Sequence, residues 1–303
     1  MVVFPPCKIN LGLRVLGRRT DGYHDLETVF WPLAVCDVLE IVRSEAPAFS
    51  PSGLPIAGDP GANLCLRAYA LLKKDFPALP PVHIYLHKQI PMGAGLGGGS
   101  SDGASLLNAL NEEFRLGLDR EKLAGYALQL GSDCPFFIYG TPCIARGRGE
   151  ELEPISLDLS GYAFVIVHPG LAISTAEAFA GLREGGGEGG LGGAQDAAGV
   201  GAAAGVGAAG IGVGAGIGEI VAGPVESWKG RLVNDFEAWT CARYPELQGI
   251  KDRLYEAGAL YASMTGSGSA FYGLFRKEDT ERLKDRAPDP GAALFPGYFF
   301  RIL

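Results

Sequence analysis

A chain of 303 residues with 47% hydrophobic side chains has room for roughly two domains of ordinary size and can bury a sizeable core. Its formal net charge of −8 and pI near 5.1 argue against nucleic acid or an anionic membrane as the main partner, since both need a basic face; a nucleotide, which needs only a local cluster, stays open. Six scattered cysteines form no C-x-x-C pair and no basic-then-apolar leader opens the chain, so we expect reduced thiols in a cytoplasmic protein rather than zinc, redox or secretory chemistry.

From Lys8 the chain alternates. Lys8, Asn10, Gly12 and Arg14 share one face of a predicted strand, and Ile9, Leu11, Leu13 and Val15 the other. The apolar face belongs in the core; on pattern alone the polar face is solvated. Asp21-Gly22 is a strong turn signal that puts Tyr23 and His24 on a loop tip. Val38–Val42 reads as a strand, and Asn63–Phe76 as a helix with Leu64, Ala68, Leu71 and Leu72 inward. Val82–Ile90 alternates as a strand with Lys88 near its end. Past a glycine-rich stretch, Gly103, Leu107, Leu110 and Phe114 recur at helical spacing. Asp119–Leu130 is the next predicted helix, and Gly131 ends it. Asp133 follows in a short turn, where the plain reading is an Asx-turn or a cap.

Tyr162–His168 reads as a buried strand, with a domain boundary near Ser160, and Ser174 or Thr175 caps a further helix. The segment Gly185–Gly223 holds 17 of the 46 glycines, and Ala197–Gly218 carries no charge. Length alone would permit a membrane span. Only Val200, Val206, Ile211, Val213 and Ile217 are large and aliphatic there, however, so a flexible low-complexity insertion is the better reading and no membrane partner is expected. Leu232–Glu237 starts a helix and Ile250–Ala257 forms another. Thr265-Gly-Ser-Gly-Ser-Ala-Phe271 is a glycine loop between two strand-like runs, by itself a hairpin turn.

The stretch Pro91, Met92, Gly93, Ala94, Gly95, Leu96, Gly97, Gly98, Gly99, Ser100, Ser101 lies between a strand and a helix. Glycines admit φ > 0 and bring bare N–H groups close to a ligand, and the helix start adds unpaired donors and a positive dipole end. That combination suits phosphate, although a tight turn capped by Ser100 or Ser101 would look similar. A P-loop is excluded, because no Lys-Ser or Lys-Thr closes it. Gly93, Gly95 and Gly98 match the dinucleotide pattern, but a helix follows where that fold needs a second parallel strand. A protein-kinase glycine loop needs a strand next, and a helix comes instead.

The remaining pattern, P-x-G-x-G-L-G-G-G-S-S, resembles the phosphate loop of the GHMP kinase superfamily. Pro6, Lys8, Asn10 and Leu11 are similar to its opening P-x-K-x-N-L strand, Gly131–Phe136 to its G-x-D-x-P-F segment, and Thr265–Phe271 to its third motif. The triple glycine and the segment Arg19-Thr-Asp-Gly-Tyr-His24 most resemble members that phosphorylate a diphosphocytidyl sugar alcohol. Ala145–Glu150 is similar to an A-x-G-x-G-E hairpin, with Arg146 and Arg148 where the family has smaller residues.

The resemblance implies an α+β, two-lobed fold with the active site in the cleft between lobes. Residues 1–160 would form the ATP-binding domain and 161–303 the second domain. Lys8 and Asp133 would be catalytic, with ATP and Mg²⁺ as cofactors and Ser101 as a metal ligand. The loop from Pro91 to Ser101, with Asn63 and Lys88, would face ATP; Asn10, Tyr23, His24, Thr175 and Phe179 would face the acceptor. Tyr23 and Phe179 would sandwich the cytosine while His24 bonds its edge. The implied partners are these small molecules only, for a monomer or homodimer. Two alternatives stay open: a relative acting on another small alcohol such as homoserine or mevalonate, and a nucleotide-binding protein without catalysis.

Overall fold

The structure, a computed structural model, describes residues 1–56, 58–185, 215–280, 291 and 294–303. β1 (Val2–Val3) leads into two long strands, β2 (Pro6–Arg18) and β3 (His24–Cys36), then β4 (Val38–Arg43) and β5 (Ala48–Gly53). α1 (Leu64–Asp75) and β6 (Val82–Lys88) precede the glycine stretch, and α2 (Gly98–Glu113), α3 (Arg120–Leu130) and α4 (Cys134–Tyr139) follow it. Next come β7 (Cys143–Arg146), β8 (Glu151–Pro154), β9 (Tyr162–His168), α5 (Thr175–Gly185), α6 (Ile217–Val221), α7 (Asp235–Arg243) and α8 (Gln248–Glu256). β10 (Tyr261–Met264), β11 (Phe271–Arg276) and β12 (Phe299–Ile302) complete the described chain.

The strands form three four-stranded sheets, ordered β1-β4-β6-β5, β2-β3-β7-β8 and β10-β11-β9-β12. Among the described strands, β5 and β6, joined through α1, are the pair that runs parallel. Helices α1 to α4 cover one face of the first sheet, burying Leu39, Ile41, Ile84 and Leu86 under Ala68, Leu72, Leu107 and Phe136. Ile9, Leu11 and Val29 of the second sheet pack on Phe164, Ile166 and Tyr272 of the third. The third sheet's other face carries α5, α7 and α8 through Ala178, Phe236, Ile250 and Leu254. The architecture is α+β, as the motif order implied.

Several local expectations change. α2 begins at Gly98 with Gly97 as its left-handed N-cap, φ 70°, so neither Ser100 nor Ser101 caps it and both lie inside its first turn. Lys8 and Asn10 share a strand face opposite Ile9 and Leu11, yet all four are buried, because Gly97 of the glycine stretch and Gly266 pack over the polar face. The run after Asp133 is helical, with Pro135 in its first turn, where its missing N–H costs nothing. Much of the Gly185–Gly223 insertion, residues 186–214, lies outside the described residues. Its last part is not an empty linker. Ile217, Ile220 and Val221 of α6 are buried against the second sheet, where a Cβ on Gly218 would stand 2.7 Å from Ile144 Cδ1. Arg14 Nη1 donates to Ala215 O at 3.0 Å and Ile217 N to Glu27 Oε2 at 3.2 Å, fixing the chain where it returns.

Candidate active site

A cavity of about 370 Å³ opens where the second sheet, the glycine stretch, α5 and the turn between β10 and β11 meet. β2 supplies its most buried charge. Lys8 Nζ donates to Asn10 Oδ1 at 2.7 Å, stands 3.3 Å from Asp133 Oδ2 and lies 4.9 Å above the Phe30 ring. Lys8 is 3% exposed, whereas the Asp133 side chain is 35% exposed, so the pair is open to the cavity from the carboxylate side. Asp133 stands at the N-cap position of α4 but makes no cap hydrogen bond, which leaves its carboxylate to Lys8 and the cavity.

Asn10 is held from four directions. Its Nδ2 donates to Thr28 Oγ1 at 3.0 Å, its backbone N donates to Thr265 Oγ1 at 3.0 Å, its backbone O accepts from Tyr272 at 2.9 Å, and its Oδ1 accepts from Lys8. Such satisfaction is what a buried amide requires. It also fixes the Lys8 ammonium.

The glycine stretch is anchored by alternation. Ala94 and Leu96 point into the core beneath it, while Gly93, Gly95 and Gly97, at φ 65°, 77° and 70°, line the cavity. Backbone bonds hold it on three sides: Lys8 N to Leu96 O at 2.9 Å, Ala270 N to Ala94 O at 3.1 Å and Ile173 N to Gly93 O at 3.3 Å. Only glycine fits at 95, because a Cβ there would lie 2.0 Å from the Thr265 carbonyl oxygen. The third motif is thereby pressed against the loop. Asn234 Nδ2 secures it from behind, donating to Met264 O and Gly266 O at 2.9 Å each. Asn234 and the cavity-lining Gly266 and Ser267 sat in segments the sequence singled out, yet they were not among the expected site residues.

Lys88 does not reach the cavity. It is buried beneath the loop between two carboxylates, bonded to Asp37 and, at 2.7 Å, to Asp102 Oδ2. Asp37 Oδ1 also accepts from Gln89 N at 2.5 Å and Ile90 N at 2.9 Å, just where β6 becomes the glycine stretch. Burial pushes the Asp102 carboxyl up to about 8, against the opposing pull of Lys88. Asn63 is likewise outside the cavity; its Oδ1 caps α1, accepting from Cys65 N at 2.9 Å. Pro91, Met92, Gly98, Gly99 and Ser100 frame the loop without lining the cavity. Ser101 Oγ is enclosed and has no hydrogen-bond partner among the described residues.

At the far end Tyr23, His24, Thr175 and Phe179 all line the cavity, but not in the expected sandwich. His24, not Tyr23, lies face to face with Phe179, centroids 4.5 Å apart and planes 15° apart. Phe179 is braced edge-on by Phe236. Tyr23 is 56% exposed and faces the Arg148 guanidinium at 4.9 Å. His24 is the first residue of β3, whereas Tyr23 precedes the strand, held by its N–H to Asp21 Oδ1 at 3.1 Å, and lies at the exposed rim of the cavity.

Residues 63–141 match the GHMP kinases N terminal domain and residues 240–293 the GHMP kinases C terminal domain. The 4-diphosphocytidyl-2-C-methyl-D-erythritol kinase of Azobacteroides pseudotrichonymphae is 45% identical over 277 residues, 91% of this chain and 94% of its own. The chain belongs to the GHMP kinase family.

The kinase of the same name from Bacteroides fragilis is 43% identical over 92% of this chain and 93% of its own. A crystal structure of 4-(cytidine 5'-diphospho)-2C-methyl-D-erythritol kinase superposes with a TM-score of 0.74 and 29% identity, covering 100% of this chain and 98% of the other. Homoserine kinase from Cytophaga hutchinsonii shares the GHMP kinase fold at a TM-score of 0.66 and 15% identity, covering 100% and 93%.

Proposed function

We propose that this GHMP kinase moves the γ-phosphoryl group of ATP to the C2 hydroxyl of 4-diphosphocytidyl-2-C-methyl-D-erythritol, a step of non-mevalonate isoprenoid precursor biosynthesis. The observation that carries the reading is one cavity holding, together, a Lys8–Asp133 pair whose lysine is buried and whose carboxylate is open to the cavity, a glycine loop at a helix N-terminus and an aromatic cluster at the opposite end. Relatives of that name at 40–45% identity over about nine-tenths of the chain support the choice of acceptor.

Phosphoryl transfer asks for positioning and charge stabilisation more than covalent chemistry. In our reading the amides from Gly93 through the first turn of α2 hold the phosphates, with the helix dipole adding its positive end. Asp133 takes or orients the acceptor hydroxyl proton, and Lys8 pairs with that carboxylate and faces the transferring group. Asn10 fixes Lys8, and Asn234 fixes the loop opposite. The aromatic end takes the cytosine. Thr175, 3.4 Å from Ser267, closes that wall.

Mg²⁺ would offset phosphate charge. The described residues contain no group of three or more His, Cys, Asp or Glu placed to hold a metal. The unpartnered Ser101 hydroxyl at the loop is the protein ligand we assign to it. No described helix is long and apolar enough to cross a membrane, and we place the enzyme in the cytoplasm, its two domains meeting near Ser160.

The direct test is ATP consumption by the purified protein with the diphosphocytidyl alcohol, homoserine or mevalonate as acceptor. Turnover should require the first. Equal or greater turnover with either other alcohol would overturn the assignment.

A further inference from the structure

Arg148 lines the cavity beside Tyr23. We infer that it binds the diphosphate of the acceptor, and so makes the site select a diphosphorylated cytidine over the bare nucleoside. The inference rests on the acceptor proposed above.

Arg148 stands in the turn between β7 and β8, flanked by two glycines with φ 64° and 110° that bend the turn onto the cavity. The turn bridges both ends of the site. A Cβ on Gly149 would be 3.5 Å from Asp133 Oδ1, at the transfer end, while the Arg148 guanidinium covers Tyr23, at the aromatic end. Leu26 N donates to Gly147 O at 2.7 Å, tying the turn to β3 just after His24. The guanidinium therefore stands between the carboxylate that would meet the hydroxyl and the rings that would meet the base. In the acceptor the diphosphate likewise lies between the tetritol and the cytidine.

Charge points the same way. Lys8 and Arg148 are the lysine and arginine that line the cavity, and the Lys8 ammonium is already engaged by Asn10 and Asp133. A diphosphate entering beside Asp133 needs a further cation. The Arg148 side chain is 30% exposed, and its Nε is held by Glu150 Oε1 at 3.1 Å. Its two Nη groups have no hydrogen bond to any described residue. A planar guanidinium oriented by one edge presents a fork that matches phosphate oxygens two at a time, which a lysine cannot reproduce.

The test compares wild-type protein, R148Q and R148K, using CDP and cytidine as competitors of the acceptor. For R148Q the inhibition constant of CDP should rise about ten- to a hundredfold, the scale of lost charge-assisted hydrogen bonds. That of cytidine should stay within about twofold, and the KM for ATP should not move. R148K, with the charge but not the fork, should fall between. An equal loss for CDP and cytidine would mean that Arg148 only props Tyr23, and would overturn the inference. So would an unchanged CDP constant in a variant that still turns over the acceptor, which would leave the acceptor assignment standing. A wild-type protein that binds no CDP would overturn both.

Discussion

Replacing Asp37 by alanine strikes the support beneath the nucleotide loop without touching the cavity. Asp37 is fully buried and accepts from Lys88 Nζ, Gln89 N and Ile90 N. Removing one partner of a buried ion pair costs about 3–5 kcal/mol, and each orphaned buried amide adds about 1–3 if nothing replaces its acceptor. One effect pulls the other way. Burial, with Asp37 nearby, pushes the Asp102 carboxyl up against the pull of Lys88. With Asp37 gone, Asp102 ionises more readily and serves Lys88 alone. We therefore expect the low end, about 3 kcal/mol, which lowers Tm by about 5 °C for a chain of this length at about 2.1 cal/mol/K of unfolding entropy per residue. Gln89 and Ile90 lead directly into Pro91, so the KM for ATP should rise about tenfold while CDP affinity at the aromatic end stays unchanged. Melting curves and steady-state kinetics on the same preparation read both. A Tm within about 2 °C of wild type would refute the energetic argument; parallel losses of ATP and CDP binding would refute the localisation.

Two further predictions follow from the site and the insertion. Asp133→Asn should lower kcat about a hundredfold or more, the scale of a positioned acid or base, with ATP still bound in an equilibrium titration; near-normal turnover removes Asp133 from the mechanism. Replacing residues 186–214 with a short Gly-Ser linker should leave acceptor kinetics unchanged, whereas Ile220→Ser should cost about 3 kcal/mol in a melting experiment, because Ile220 is 3% exposed in the core; a linker variant that fails to fold, or an Ile220→Ser protein with an unshifted Tm, breaks the division we draw at α6.

Local pattern was a good guide wherever one short period decided the outcome. The alternation at Lys8–Val15 placed Ile9 and Leu11 in the core, and the helix expected over Asp119–Leu130 is α3, which Asp119 caps by accepting from Lys122 N. What the pattern missed was set by distant chain. Asp37 and Asp102 lie 51 and 14 residues from Lys88, and no spacing rule joins them. The solvated reading of Lys8 and Asn10 failed because a strand's polar face is wet only if nothing covers it, and here Gly97 and Gly266 pack so close that an added Cβ would stand 3.1 Å from Lys8 Cε and 3.5 Å from Asn10 Oδ1. Composition misjudged the end of the insertion for a similar reason. Ile217, Ile220 and Val221 are sparse among glycines, yet they fall on one side of a short helix that meets an open apolar face.

The legible and illegible parts meet on β2. Ile9 and Leu11 lie in the core between the second and third sheets, and Lys8 and Asn10, on the same strand, form the floor of the cavity. A one-residue slip would exchange the faces, putting the ammonium in the core and an isoleucine beside Asp133, so the core's demand for register is also the site's. The glycine loop repeats the arrangement, with Ala94 and Leu96 as anchors and Gly93, Gly95 and Gly97 toward the ligand. A site built this way inherits its precision from packing. Its positions then respond to core substitutions, while the aromatic end, where Tyr23 hangs outside any core, is free to rearrange around a base. His24 resting on Phe179 fills the slot a cytosine would take, so base entry has to displace that ring or stack on its outer face toward Tyr23.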